Sequence, residues 1–152
     1  IYTNQAIIEP QFVAENAVVE KAIIGAGAQI YGEVYSSVLG AGVVIEEGAV
    51  VRDSIIMAGT KIGKNVLVDK GIIAEDCVIG DNAQLGVGEE AESKLNMGVY
   101  SFGLVVVGEN SVIPANVSVG KNTAIKGVTE EADYPGGELA GGGYIIKAGD
   151  RA

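Results

Sequence analysis

The sequence predicts an all-β chain wound into a three-sided parallel β-helix, and three observations predict it. Aliphatic residues recur every five or six positions over most of the 152 residues. The steps group in threes, as a coil of three short strands and three turns requires. The composition suits a narrow core. There are 23 glycines, about twice the usual ~7%, but only 3 prolines, as expected of a chain that turns often and tightly. Six Tyr, two Phe and no Trp leave the interior to Ile, Val, Leu and Ala. A β-sandwich would instead alternate within each strand and turn every ~8–12 residues.

Taken in order, Ile8 and Val13 begin the first coil. A five-residue step then recurs between Val19 and Ile24, Val34 and Leu39, Val51 and Ile56, and Val68 and Ile73, marking one equivalent edge in four successive coils. The coil beginning at Val19 is two residues short, because Ile30 to Val34 spans four positions where Ile45 to Val51 spans six. Six-residue steps carry the pattern through Ile56, Ile62 and Val68, then from Ile73 through Ile79 to Leu85. Four positions after an inward aliphatic, a small or aliphatic residue is expected to point inward too: Thr60, Val66, Ile72, Cys77 and Ala83. Equivalent residues of neighbouring coils should stack at the strand spacing of about 4.8 Å. Gly63, Asn65 and Gly80 fall at corners, where the backbone needs conformations that a β-carbon opposes.

The register stops at Leu85. Gly86–Phe102 mixes acidic and apolar residues without a hexad, and reads as a loop ejected from a corner, with one helical turn around Glu89 to Leu95. Regular steps resume at Val107, Ile113, Val119 and Ile125, with Ser111, Val117 and Thr123 as inward partners. Residues 1–127 are therefore expected to form the β-helix, with the insertion at 86–102. Residues 128–152 are expected to be a Gly-rich tail, holding a strand at Tyr144 to Lys147, that caps the open core or reaches a partner.

Composition also excludes function classes. A formal charge of −10 repels phosphate backbones and anionic lipids, so no nucleic acid and no membrane surface is expected as a partner. Cys77 is the only cysteine, so no intrachain disulfide and no cysteine-based metal site can form, which agrees with a cytoplasmic location. No apolar run approaches ~20 residues and no signal peptide is visible. The chain opens on Ile1 rather than Met and reads as part of a longer protein. It has no histidine. The coil pattern resembles that of the hexapeptide-repeat proteins, and this resemblance implies left-handed winding. Acyltransferases of that architecture use an imidazole as general base, and its carbonic anhydrases use imidazoles to hold zinc. Neither chemistry has its residue here, so no catalytic, cofactor-binding or metal-binding residue is expected in this chain.

One segment narrows the resemblance. The shortened coil IYGEVYSSVL (Ile30 to Leu39), followed by VVIEEGAVVRDSIIM ending at Met57, resembles the C-terminal β-helix domain of glucose-1-phosphate adenylyltransferase. So do the insertion after Leu85, the re-entry FGLVVVGENSVIP and the corner Val119–Gly120–Lys121–Asn122. The resemblance implies a two-part enzyme making ADP-glucose for glycogen synthesis. Its preceding catalytic domain would carry the Gly-rich nucleotide loop and the acidic residues that hold Mg. The β-helix would assemble a homotetramer and help form a pocket for sugar-phosphate regulators beside that catalytic domain.

Some regulated members of that family are rich in Arg around the stretch matching Val66 to Asp76. Here it reads VLVDKGIIAED, with Lys70 its only cation and Ala74 where the family often has Asp. Arg52, Lys61 and Lys64 are the other candidate contacts for an anionic effector. Two alternatives stay open: a hexapeptide acyltransferase using a carboxylate such as Asp53 or Glu33 as its base, and a ligand-free β-helix scaffold of another sugar nucleotidyltransferase or of a translation-factor subunit.

Overall fold

A computed structural model describes residues 7–147; residues 1–6 and 148–152, assigned above to the β-helix and the tail, lie outside the described part. Three parallel sheets of six, seven and seven short strands form the three faces of a prism. The first face runs from Phe12–Val13 through Gln29–Ile30, Val44–Ile45, Lys61–Ile62 and Val78–Ile79 to Val112–Ile113. The second runs from Val18–Glu20 to Glu138–Leu139, and the third from Ile23–Ile24 to Tyr144–Ile146. The result is a solenoid of about eight turns that fits a left-handed hexapeptide-repeat helix.

Inward side chains stack into ladders because each strand pairs in register with its equivalent one coil away. Ile45, Ile62, Ile79 and Ile113 pair in sequence on the first face. Val34, Val51, Val68 and Leu85 do so on the second, and Leu39, Ile56, Ile73 and Val107 on the third. All of these are at most 1% exposed. Burying each side chain contributes roughly 1.5–3 kcal/mol relative to leaving it in water.

The five-residue edge has its own construction. Its corner residue is left-handed and not glycine: Lys21, Ser36, Asp53 and Lys70 have φ of 52°, 48°, 48° and 54°. Each such residue costs about 1 kcal/mol. A buried hydroxyl spine behind the corner offsets this. Ser37 Oγ donates to the Tyr35 carbonyl (2.7 Å) and accepts from the Ser54 amide (3.1 Å). Ser54 Oγ donates to the Arg52 carbonyl (2.7 Å) and accepts from the Gly71 amide (2.9 Å). The short step therefore moves the small inward residue to the third position. Gly71 is buried while Ile72 points outward and is half-exposed, contrary to the four-position rule. At the six-residue steps that rule holds, as Thr60, Val66, Cys77 and Ala83 are buried.

Corners between the first and second faces use Gly48, Asn65, Asn82 and Asn116 at positive φ. Their amides link coil to coil: Asn65 Nδ2 donates to Asn82 Oδ1 (3.4 Å), and Asn82 Nδ2 to Asn116 Oδ1 (3.0 Å). Gly63 and Gly80 are glycine for a different reason. A β-carbon at Gly80 would lie 2.5 Å from the Ala115 amide, and one at Gly63 would lie 2.8 Å from the Ile79 carbonyl oxygen.

The insertion leaves the prism at a register shift between Leu85 and Val87. Gly86, at φ +86°, sits there so close to the Asp69 carbonyl that a β-carbon would collide with it. The loop returns to the third face at Val105–Val107, which pairs directly with Gly71–Ile73. Its turn lies at Asn96–Tyr100, where the Tyr100 amide bonds to the Asn96 carbonyl (2.9 Å), rather than at Glu89 to Leu95. Asn96 Oδ1 accepts from the Gly98 amide at 3.0 Å, a local side-chain turn that draws the bend to this residue.

After Val128 the chain continues the solenoid instead of leaving it. Val128 bridges to Val112, Glu138–Leu139 joins the second face, and Tyr144–Ile146 pairs with Ala124–Lys126 on the third. Two short 3-10 turns, Glu131–Asp133 and Pro135–Gly137, replace the regular corner. Between them Tyr134 turns into the core and is 2% exposed. Its hydroxyl lies 2.8 Å from Thr129 Oγ1, whose own proton goes to the Val112 carbonyl (2.6 Å), so Tyr134 is the donor.

Candidate functional site

Short parallel strands fix where outward side chains stand. The four cations singled out in the sequence are dispersed over strand faces and corners. Lys61 is outward on the first face, and Lys64 stands at the corner that follows it. Arg52 ends a strand of the second face and pairs with Asp69 of the next coil (3.2 Å). That ion pair is exposed, 49% on the Arg52 side, and such pairs contribute ~0–1 kcal/mol. Lys70 stands at the next corner, exposed, beneath Asp53.

The corner holding Lys70 gathers more than the sequence indicated. Lys70 Cδ and Lys121 Cδ each lie 3.6 Å, and Glu90 Oε1 2.9 Å, from the point where a side chain at Gly103 would begin. Lys121 was missed by local reading, yet the coil ruler contains it. One 17-residue coil and one coil enlarged by the insertion separate it from Lys70, as the pairings Val68–Leu85 and Leu85–Val119 show. The stems of two lysines and one carboxylate meet there, and an anion at this corner would compete with Glu90.

Next to this corner the insertion is anchored to the last turns. Asn122, 7% exposed, accepts from the Gly103 amide (2.8 Å) and donates to the Ala91 carbonyl (2.9 Å). The Lys94 amide donates to the Gly142 carbonyl at 2.8 Å. An open cleft of ≈390 Å³ lies along the loop, with Glu90, Glu92, Ser93, Tyr100 and Asn122 among its lining residues.

The two-residue deletion in the second coil leaves a smaller notch of ≈240 Å³, lined by Asn16, Tyr31, Glu46, Glu47 and Lys64 among others. Glu46 and Glu47 there place Lys64 in a mixed-charge setting. Of the two carboxylates considered as bases, Glu33 accepts from the Tyr35 hydroxyl (2.7 Å), and Asp53 is an exposed corner residue. The Glu33 hydrogen bond pushes the Tyr35 phenol above its ordinary range. Cys77 is buried, and burial pushes its thiol up as well, so it stays protonated against the Gly108 carbonyl (3.0 Å). Among the described residues no three His, Cys, Asp or Glu side chains are grouped to hold a metal ion. None of their helices is long and apolar enough to cross a membrane.

Comparison with known proteins gives this scaffold its context. The chain is 61% identical over 150 residues to glucose-1-phosphate adenylyltransferase of Lachnospira eligens, a match covering 99% of this chain and 36% of that protein. It is 46% identical over 145 residues to the enzyme of the same name from a Thermotoga species, covering 95% and 34%. The chain thus spans about a third of the length of the curated relatives it matches. Among solved structures, the acetyltransferase domain of PglB from Neisseria gonorrhoeae aligns with a TM-score of 0.48 at 22% identity, covering 87% of this chain and 55% of that one. Residues 9–107, from the first coil through the re-entry strand, match the family described as GlmU-like, C-terminal hexapeptide, and the chain belongs to that family.

Proposed function

We propose that this chain is the C-terminal β-helix domain of a glucose-1-phosphate adenylyltransferase, acting as its assembly and regulatory part. The observation that carries the reading is the 61% identity over nearly the whole chain to a protein of that name, of which this chain spans only a third. In this reading the joining of ATP to glucose 1-phosphate, and the Mg that assists it, belong to the part of the protein that precedes this one. The location is cytoplasmic and the assembly a homotetramer. The dispersal of Arg52, Lys61, Lys64 and Lys70 over two faces and two corners supports a regulator pocket completed by the preceding domain rather than built here alone.

The test is to assay ADP-glucose formation by the full-length protein and by this segment alone, with light scattering of both. Turnover by the full-length multimer and none by the segment is expected. A full-length protein that forms no ADP-glucose, or a segment that transfers an acetyl group from acetyl-CoA, would overturn the reading.

A further inference from the structure

The cleft along the insertion holds polar groups that are fixed in place yet not fully used. Ser93 is only 6% exposed although it sits on a loop. Its Oγ accepts from the Leu95 amide (3.2 Å) and the Asn96 amide (3.3 Å), and no described residue takes its own proton. Asn122 spends its side-chain oxygen on the Gly103 amide and one N–H on the Ala91 carbonyl, which leaves its second N–H unused among the described residues. A buried donor without an acceptor is costly, so both ask for an acceptor from whatever fills the cleft. The volume of ≈390 Å³ falls within the ~300–1,000 Å³ of small-molecule sites. Glu90, Glu92 and the half-buried Tyr100 complete the polar wall. The notch at the shortened coil has no comparable groups, since Asn16, Glu47 and Lys64 there are exposed.

We propose that this cleft binds a neutral sugar ring, one link of a saccharide chain. Ser93 and Asn122 offer buried donors, Glu90 and Glu92 offer acceptors, and every hydroxyl of a hexose can both donate and accept. The ring of Tyr100 supplies an apolar surface for the C–H face of a sugar, and its hydroxyl a further polar handle. Phosphorylated sugars are disfavoured, because two carboxylates line the cleft and no lysine or arginine does. The stems of Lys70 and Lys121 reach the neighbouring corner at Gly103, and neither ammonium pairs with Glu90 among the described residues. That charge pattern separates the site from one for anionic regulators. The cleft is open along the loop, so a ring with further sugars attached on either side can enter it. The saccharide chemistry rests on the cleft alone. The choice of glucose as the sugar rests on the reading of this polypeptide as part of a glucose-1-phosphate adenylyltransferase.

The experiment uses the full-length protein, maltotriose as probe, and hydrogen exchange followed by mass spectrometry. Peptides covering residues 90–101 contain the Leu95 and Asn96 amides that bond to Ser93 Oγ. Maltotriose at ten times its Kd is expected to slow their exchange about tenfold, by the factor 1 + [L]/Kd. No slowing up to the solubility limit of the sugar overturns the proposal. Equal slowing by sorbitol overturns it in favour of a general solvent effect, and equal slowing by inorganic phosphate overturns it in favour of an anion site. Tyr100→Ser is expected to weaken maltotriose binding by about three- to tenfold, and unchanged affinity sinks the proposal. Should that variant misfold, Glu90→Gln with Glu92→Gln keeps the size of both side chains; it is expected to weaken binding by about threefold, as neutral acceptors bond less strongly than charged ones, and an unaltered Kd is again fatal. Maltotriose protection in a protein that forms no ADP-glucose sinks the activity and keeps the saccharide site; turnover without protection does the reverse.

Discussion

The two ends of the prism are finished differently. At the lower end Tyr134 is buried beneath the last regular coil, the insertion is hydrogen-bonded to the final corner, and Lys147 clasps Asp133. At the upper end, among the described residues, inward-pointing Val13 remains 44% exposed, and Val19 and Ile24 are half-buried. Among the described residues, identical repeat chemistry thus gives a closed rung at the lower end and an open one at the upper. A solenoid repeat buries its core only against neighbours, so its terminal rungs need an added piece.

The largest effect should separate the middle of the prism from its open end. Ile73→Ala, at a fully buried rung, is expected to cost about 2–5 kcal/mol in urea denaturation. Val13→Ala, at the exposed rung, should cost this segment less than ~1 kcal/mol, because the lost methyls were half in water already. Equal costs would mean that the upper end is as well packed as the centre, and the contrast would fail.

A smaller effect probes the closed end. Tyr134→Phe removes only a hydroxyl whose proton goes to Thr129, and Thr129 keeps its bond to the Val112 carbonyl. The expected loss is about 1 kcal/mol by the same denaturation. A neutral result would show that ring volume alone seals this end.

The smallest effect is on pH. The hydrogen bond from Lys147 (2.6 Å), then the Glu130 amide, hold the Asp133 carboxyl below its ordinary range, and Asp133 raises the Lys147 ammonium. The Asp133 contribution is therefore present above the usual carboxylate range and is lost as pH falls through the lowered value. The Lys147 contribution is complete below the usual lysine range of about 10.4 and is lost as pH rises through the raised value. Hydrogen exchange at Tyr144–Ile146, corrected for intrinsic rates, should show a protection factor flat between about pH 5 and 10 and reduced outside that window. In Lys147→Met the alkaline dependence should vanish, and the acidic one should shrink to what the Glu130 amide sustains.

The prism was readable from sequence because its determinants are local and periodic: a β-carbon either fits a corner or does not, and an aliphatic either faces in or out. The shortened coil was visible for the same reason. Ile72 was misassigned because a five-residue step removes one position between the inward aliphatic and its small partner, a change that shows only in the bond from the Gly71 amide to Ser54 Oγ. The strand read at Tyr144 to Lys147 lies at Tyr144–Ile146; its place in a further turn was not legible, because the wall before it is interrupted by 3-10 turns around Tyr134, whose role depends on a contact with Thr129 rather than on spacing. The cluster of Lys70, Lys121 and Glu90 joins a loop to two coils, so no window of sequence contains it.

The insertion has one more consequence. Val68, Leu85 and Val119 line up on one face, and Gly71–Ile73 hands over directly to Val105–Val107 on the next. The extra chain therefore amounts to a whole turn swung out of the stack, marked in the wall only by the register shift between Leu85 and Val87. Selection can rewrite that excursion without disturbing a single interior ladder, so a family built from repeats can diversify what it touches while its architecture stays put.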